Sequence, residues 1–166
     1  FEVADEKNQK FYTEKYGVTH PTKPGLKIPQ MFEAAIDKEL KGLWIIGEDI
    51  VQTDPNSAHV VEAMNSLELL VVQEIFMSET AKLATVVLPG TTFLEKDGTF
   101  TNTERRIQRV NRAVEPLPGT KPDGLIVTEM MKKLGFDQPT YDADQVLSEI
   151  ADVVPFFKGV TRERLG

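Results

Sequence analysis

Three short apolar runs stand between segments of helical period. They are Leu43-Trp44-Ile45-Ile46-Gly47, Leu69 to Val72, and Thr85-Val86-Val87-Leu88. None has a polar face, as expected of strands buried on both sides in a parallel sheet. A helix lies between the first two, with Val60, Val61, Met64 and Leu67 on its buried face. Asp54 can cap it and Pro55 suits its first position. Ser78 and Glu79 open a second, short helix through Ala84. Strand–helix–strand–helix–strand with short joints requires parallel strands and right-handed crossovers. The pattern predicts an α/β protein whose doubly wound, mostly parallel sheet is sandwiched by helices.

The flanks read differently. Glu2 to Tyr16 is a polar and aromatic helix ended by Gly17, and a loop at His20–Gly25 separates it from an amphipathic helix begun near Pro29. That second helix carries Met31, Ala34, Ala35 and Ile36 on one face. Beyond Gly90, Lys96-Asp97-Gly98 is a turn signal. Thr99–Asn102 and the alternating Arg105–Arg112 then read as a hairpin or extended segment. A loop from Pro116 to Pro122 precedes a helix from Asp123 to Leu134 that should bury Ile126, Val127, Met130, Met131 and Leu134 before Gly135 ends it. A last helix starts at Asp142 or Asp144 and runs to Val153, after which Pro155-Phe156-Phe157 should tuck the tail onto the core. The expected layout is N-terminal helices over 1–42, a Rossmann-like three-layer core over 43–135, and a C-terminal helix and tail over 136–166.

Composition narrows the function. The 166 residues are 40% apolar and 27% charged, which is globular and argues against disorder. No apolar run approaches the ~20 residues of a membrane span, and no secretory signal is visible, so the expected location is cytoplasmic. With 26 acids against 19 bases the net charge is −7, against the basic face that nucleic acid requires. The absence of cysteine excludes disulfides, thiolate zinc sites, cysteine-held iron–sulfur clusters and a cysteine nucleophile in this chain. His20 and His59, far apart, make an imidazole metal site unattractive. The chain begins at Phe1 rather than Met, which reads as a piece of a longer protein.

In an open parallel sheet, ligands bind outside the carboxyl ends of the strands. Those ends present Gly47-Glu48-Asp49 with Thr53 beyond, Gln73-Glu74, and Pro89-Gly90-Thr91-Thr92. A carboxylate there suits a ligand edge bearing two adjacent N–H donors, or ribose hydroxyls, and suits phosphate badly. Neither glycine-rich phosphate motif occurs; phosphates could instead meet the helix start near Pro55-Asn56-Ser57. Plainer readings stand beside these. Asp49 is otherwise a solvated loop acid, Gln73 a surface residue, Gly90 a turn residue and Trp44 core. Arg105, Arg106, Arg109 and Arg112 form the one basic cluster, on the plain reading a solvated strand face or a contact with other domains; the sharper reading is a phosphate contact.

The same residues carry a family resemblance. Trp44–Asp49, Gln52–Asn56, Val71–Phe76, Glu79–Ala81, Val86–Pro89, Glu95–Phe100 and Asn102–Gln108 occur in order over Leu43–Leu134. In these words the chain resembles the third domain of molybdopterin-guanine-dinucleotide oxidoreductases, most closely the formate dehydrogenase α subunit. The resemblance implies that this domain holds one guanosine of a bis-guanine-dinucleotide molybdenum or tungsten cofactor. Asp49 would accept guanine N–H bonds beside Gly47 and Thr53, Gln73 would meet ribose or base, and Pro89-Gly90-Thr91 would close the pocket. It also implies that the cysteine or selenocysteine metal ligand, the catalytic His and Arg and a 4Fe-4S cluster lie elsewhere in the full subunit. No catalytic residue is therefore expected here. The implied partners are the remaining domains of the subunit and electron-transfer subunits. The competing reading is a cofactor-free structural domain of the same fold, as in the large iron–sulfur subunit of NADH dehydrogenase. A free-standing nucleotide-binding regulatory module is disfavoured by the missing glycine-rich loop.

Overall fold

A computed structural model describes residues 2–166. The first helix, α1 (Glu6–Tyr16), starts later than its polar pattern suggests, because Asp5 takes the cap and accepts the N–H groups of Lys7 and Asn8. Gly17 closes it in the left-handed conformation, φ 69°. The second, α2 (Ile28–Ile36), has Pro29 in its first turn and turns Phe32 and Ala35 into the core.

The centre is a parallel three-stranded sheet in the order β1 (Gly42–Ile46), β2 (Leu69–Glu74), β3 (Val86–Pro89). Between β1 and β2 lie α3 (Ile50–Thr53) and α4 (Ser57–Ser66), and α5 (Glu79–Lys82) joins β2 to β3. The α/β architecture expected from the apolar runs is therefore present. Alternate residues Leu43, Ile45, Leu70, Val72 and Val87 face one way, against Val60, Ala63 and Met64 of α4 and Phe32 and Ala35 of α2. Leu70 and Val72 are 2% and 0% exposed, each such burial worth about 1.5–3 kcal/mol.

Several local expectations change. β1 is not buried on both faces: Trp44 is partly buried, its indole N–H without a partner among the described residues, and Ile46 is 48% exposed. The expectation fails on the other strands too, because the second face of the whole sheet is only partly covered: Leu69 of β2 is 45% and Val86 of β3 42% exposed. Asn56, not Asp54, caps α4, accepting from His59 N–H, while Asp54 accepts from Asn56 N–H in the preceding turn. Pro55 thus lies in that turn rather than in the helix. The polar stretch after β1 contains one helical turn, α3.

Downstream, a 3-10 turn at Phe93–Glu95 leads into an antiparallel hairpin, β4 (Gly98–Thr101) and β5 (Ile107–Val110). The chain reverses at 102–106, where Asn102 Oδ1 accepts from Arg106 N–H and Arg105 adopts φ 62°. Helix α6 (Asp123–Lys133) buries only Ile126; Leu134 just beyond it is 68% exposed. Its other apolar side chains find only partial cover among the described residues. Helix α7 (Ala143–Val153) is capped by Asp142. Phe156, expected to tuck inward, is 96% exposed; Val153 fills that role at 8%. A last turn, α8 (Arg162–Leu165), follows. Helix α1 leans on α7 through Tyr16 OH to Glu149 Oε1, 2.7 Å, and Tyr12 OH to the Val153 carbonyl, 3.3 Å.

Candidate functional site

Because the strands are parallel, the ends of β1, β2 and β3 share one rim. Gly47 leaves β1 with φ +64°, a left-handed conformation, and open space where a Cβ would stand. Asp49 then turns toward α5. Its Oδ1 accepts from the Thr80 hydroxyl (2.7 Å) and N–H (3.0 Å), and its Oδ2 from Glu79 N–H (3.3 Å). Partial burial would raise this carboxyl, yet the hydrogen bonds from Thr80 and Glu79 and the Lys82 charge outweigh that and lower it. Thr80, fully buried, also accepts from Val51 N–H at 3.1 Å, so one hydroxyl ties α5 to the loop after β1. Thr53 spends its hydroxyl on Glu48.

Gln73 sits in the neighbouring strand and serves another partner. It is 1% exposed; its amide donates to Asp123 Oδ1 at 2.7 Å, and its carbonyl oxygen is buried without a partner among the described residues. After Pro89, the chain segment at Lys121 joins the β3 side of the sheet through a parallel bridge with Gly90. That bridge delivers Asp123, the first residue of α6, to the rim. A Cβ on Gly90 would meet Asp123 Oδ1 at 3.1 Å, so the small residue permits the approach. Thr91 is 1% exposed and its hydroxyl also lacks a partner among the described residues. Lys96 completes the group, donating to Asp123 Oδ2 at 2.5 Å and to the Thr91 carbonyl at 3.2 Å.

The expected residues thus form two clusters. Asp49 is latched to α5 with Thr53 bonded to Glu48 beside it, whereas Gln73, Gly90 and Thr91 gather around Asp123 and Lys96. The Asp49 carboxylate and the Gln73 amide share no partner. In the sequence, Asp123 and Lys96 carry no sign beyond Pro122-Asp123 before a helix and the Lys96-Asp97-Gly98 turn word. Burial tends to raise the Asp123 carboxyl, but hydrogen bonds from Lys96 and Gln73 and the Lys96 charge hold it below the usual range. With 42% of its side chain exposed, Asp123 also borders a cleft of about 270 Å³ lined by Lys96, Asp97, Phe100, Gly124 and Tyr141. Glu95 braces the approach: both Thr92 donors meet its Oε2, Leu117 N–H meets Oε1, and these bonds lower its carboxyl. No group of three metal-ligating side chains occurs among the described residues.

A parallel strand–helix layer with polar side chains gathered at the strand ends defines an α/β protein of the open-sheet class, in which ligands generally bind at that rim. The molybdopterin oxidoreductase family model matches residues 7–133, and the chain belongs to that family. A putative formate dehydrogenase of Bacillus subtilis is 42% identical over 163 residues, 98% of this chain and 17% of that protein. The F420-dependent formate dehydrogenase subunit alpha of Methanocaldococcus jannaschii is 42% identical over 162 residues, 96% of this chain and 24% of that one. The chain therefore spans between 16% and 24% of the length of such curated relatives. Among solved structures, acetylene hydratase from Pelobacter acetylenicus shares the fold at TM-score 0.61 and 21% identity, over 81% of this chain and 20% of that chain. Membership implies a molybdopterin cofactor. The residues here fit a role in holding it: two buried acceptor groups, on Gln73 and Thr91, have no partner within the described chain. No helix is long and apolar enough to cross a membrane among the described residues.

Proposed function

We propose that this chain is the guanine-dinucleotide-binding domain of a formate dehydrogenase-like molybdenum or tungsten oxidoreductase, whose full subunit oxidises formate to CO2. The observation that carries the reading is the cluster of Gln73, Thr91 and Asp123 at the carboxyl rim, with two buried oxygens left unpartnered. An ionised carboxylate has about four lone-pair positions, and Gln73 and Lys96 occupy two of Asp123's. The rest suit a base edge with two adjacent N–H donors, as guanine has. Gly47 leaves open space at the end of β1 and the missing side chain of Gly90 lets Asp123 approach, beside Pro89, while Asp49 and Thr53 hold the loop after β1 through Thr80 and Glu48. When bound, the metal–pterin group takes up the electrons of formate oxidation. This chain's share is to grip the nucleotide end, orient it and exclude water from it. The division at 1–42, 43–135 and 136–166, a cytoplasmic location, and contacts with the subunit's other domains, its 4Fe-4S cluster region and electron-transfer subunits belong to the same proposal.

The cofactor-free alternative is favoured by one observation, the three hydrogen bonds that Asp49 accepts from α5. The two separate in the full-length subunit. Gln73→Leu together with Asp123→Asn should lower the bound pterin and metal per subunit at least tenfold while circular dichroism stays unchanged. Unaltered cofactor content would reject the binding role and leave the structural one.

A further inference from the structure

We propose that Lys96 is a positioning residue for base selection: its ammonium clamps the Asp123 carboxylate against Gln73, leaving its free lone pairs to a purine that presents two neighbouring N–H donors. The inference rests on the guanine-binding reading above and adds the residue that makes the rim selective. Three observations support it. Lys96 Nζ bridges Asp123 Oδ2 and the Thr91 carbonyl, so one side chain joins the β3 exit to the start of α6. Its side chain is 25% exposed, partly sheltered and less screened than a surface lysine. Lys96 and Asp123 both line the 270 Å³ cleft, so the pair is reachable by a ligand.

The selectivity follows from the chemistry of the edge. A carboxylate is acceptor-only when ionised and becomes a donor when protonated. Guanine offers two adjacent donors, whereas adenine offers a donor beside an acceptor. Keeping Asp123 charged and fixed therefore favours guanine. The other groups facing Asp123 do not replace Lys96. Gln73 is neutral, Tyr141 and Asp142 from the segment before α7 contribute no cation, and Lys121 is paired with Glu129.

The test compares the wild-type chain with Lys96→Met and Lys96→Arg, following the Asp123 side-chain carboxyl by carbon NMR against pH, then titrating GMP and AMP at pH 7. Lys96→Met should raise the Asp123 midpoint to the ordinary carboxyl range or above, and Lys96→Arg should keep it low. The preference for GMP over AMP should shrink about two- to fivefold in Lys96→Met, the range for a partly exposed ion pair, and recover in Lys96→Arg. Lys96→Gln, which retains a donor for the Thr91 carbonyl, carries the same test should methionine prevent folding. An unmoved Asp123 midpoint, or an unchanged base preference in a wild type that does bind GMP, overturns the inference. A wild type that binds neither nucleotide rejects the guanine reading itself, and the carboxyl titration still decides whether Lys96 governs Asp123.

Discussion

Asp49→Ala should destabilise the domain whether or not any nucleotide is bound. The carboxylate accepts three hydrogen bonds, two of them from fully buried Thr80 and one from Glu79 N–H. Each buried donor left unsatisfied costs about 1–3 kcal/mol, and Ser78, the N-cap of α5, keeps its own bond to Ala81 N–H. The Thr80 hydroxyl can rotate, since it also accepts from Val51 N–H, so the costs overlap. A net loss of about 2–4 kcal/mol is expected. For a chain of this size that lowers Tm by roughly 4–16 °C. Asp49→Asn keeps one acceptor for Thr80 and should fall about half as far. The assay is thermal unfolding followed by circular dichroism, with urea unfolding as a check that the slope is unchanged. A Tm for Asp49→Ala within 1–2 °C of wild type would refute the latch and return Asp49 to the role of a ligand residue free of structural duty.

Other expectations follow from the same geometry. A Cβ on Gly124 would fall 2.1 Å from Tyr141 Cε2, so Gly124→Ala should push that ring off α6 and cost about 1–3 kcal/mol, seen in denaturant unfolding. Asp49, Glu95 and Asp123 are all held below their ordinary values in the folded chain. Their contribution is therefore complete above the unfolded value of about 4 and lost as pH falls through the lower folded values; urea midpoints should decline below about pH 5. Tyr16 is raised to about 12 by burial and by its hydrogen bond to Glu149, so its stabilisation is present below about pH 10 and lost as pH rises through 12. Ultraviolet titration of Tyr16→Phe against wild type should remove one late-ionising phenol.

How far the fold could be read in advance depended on whether the signal was local. The three strands and their parallel order followed from continuous apolar runs with short helical joints. Caps were read less well: Asp54 and Asn56 are both good capping residues two positions apart, and Pro55 decided between them only through the turn it forms. Leu134 and Phe156 are apolar side chains that the core does not cover, whereas Trp44 is partly covered with its indole nitrogen buried. The rim was legible at Gln73, Gly90 and Thr91, which immediately follow or end strands. Asp123 was not, because it lies 50 residues from Gln73 and reaches it only through the bridge at Gly90 and Lys121. Nor could the chain alone reveal that Thr80, 31 residues away, claims Asp49.

The claim that orders these observations is that the rim around Gln73, Gly90, Thr91 and Asp123 receives a guanine base. Its most direct measurement is a titration of the chain with GMP and, separately, AMP, following backbone amide shifts. Perturbation centred on residues 73–74, 89–92 and 123, with smaller shifts at 47–53 and tighter binding of GMP, is the expected result. Shifts scattered over the surface, or equal or stronger binding of AMP, would contradict it.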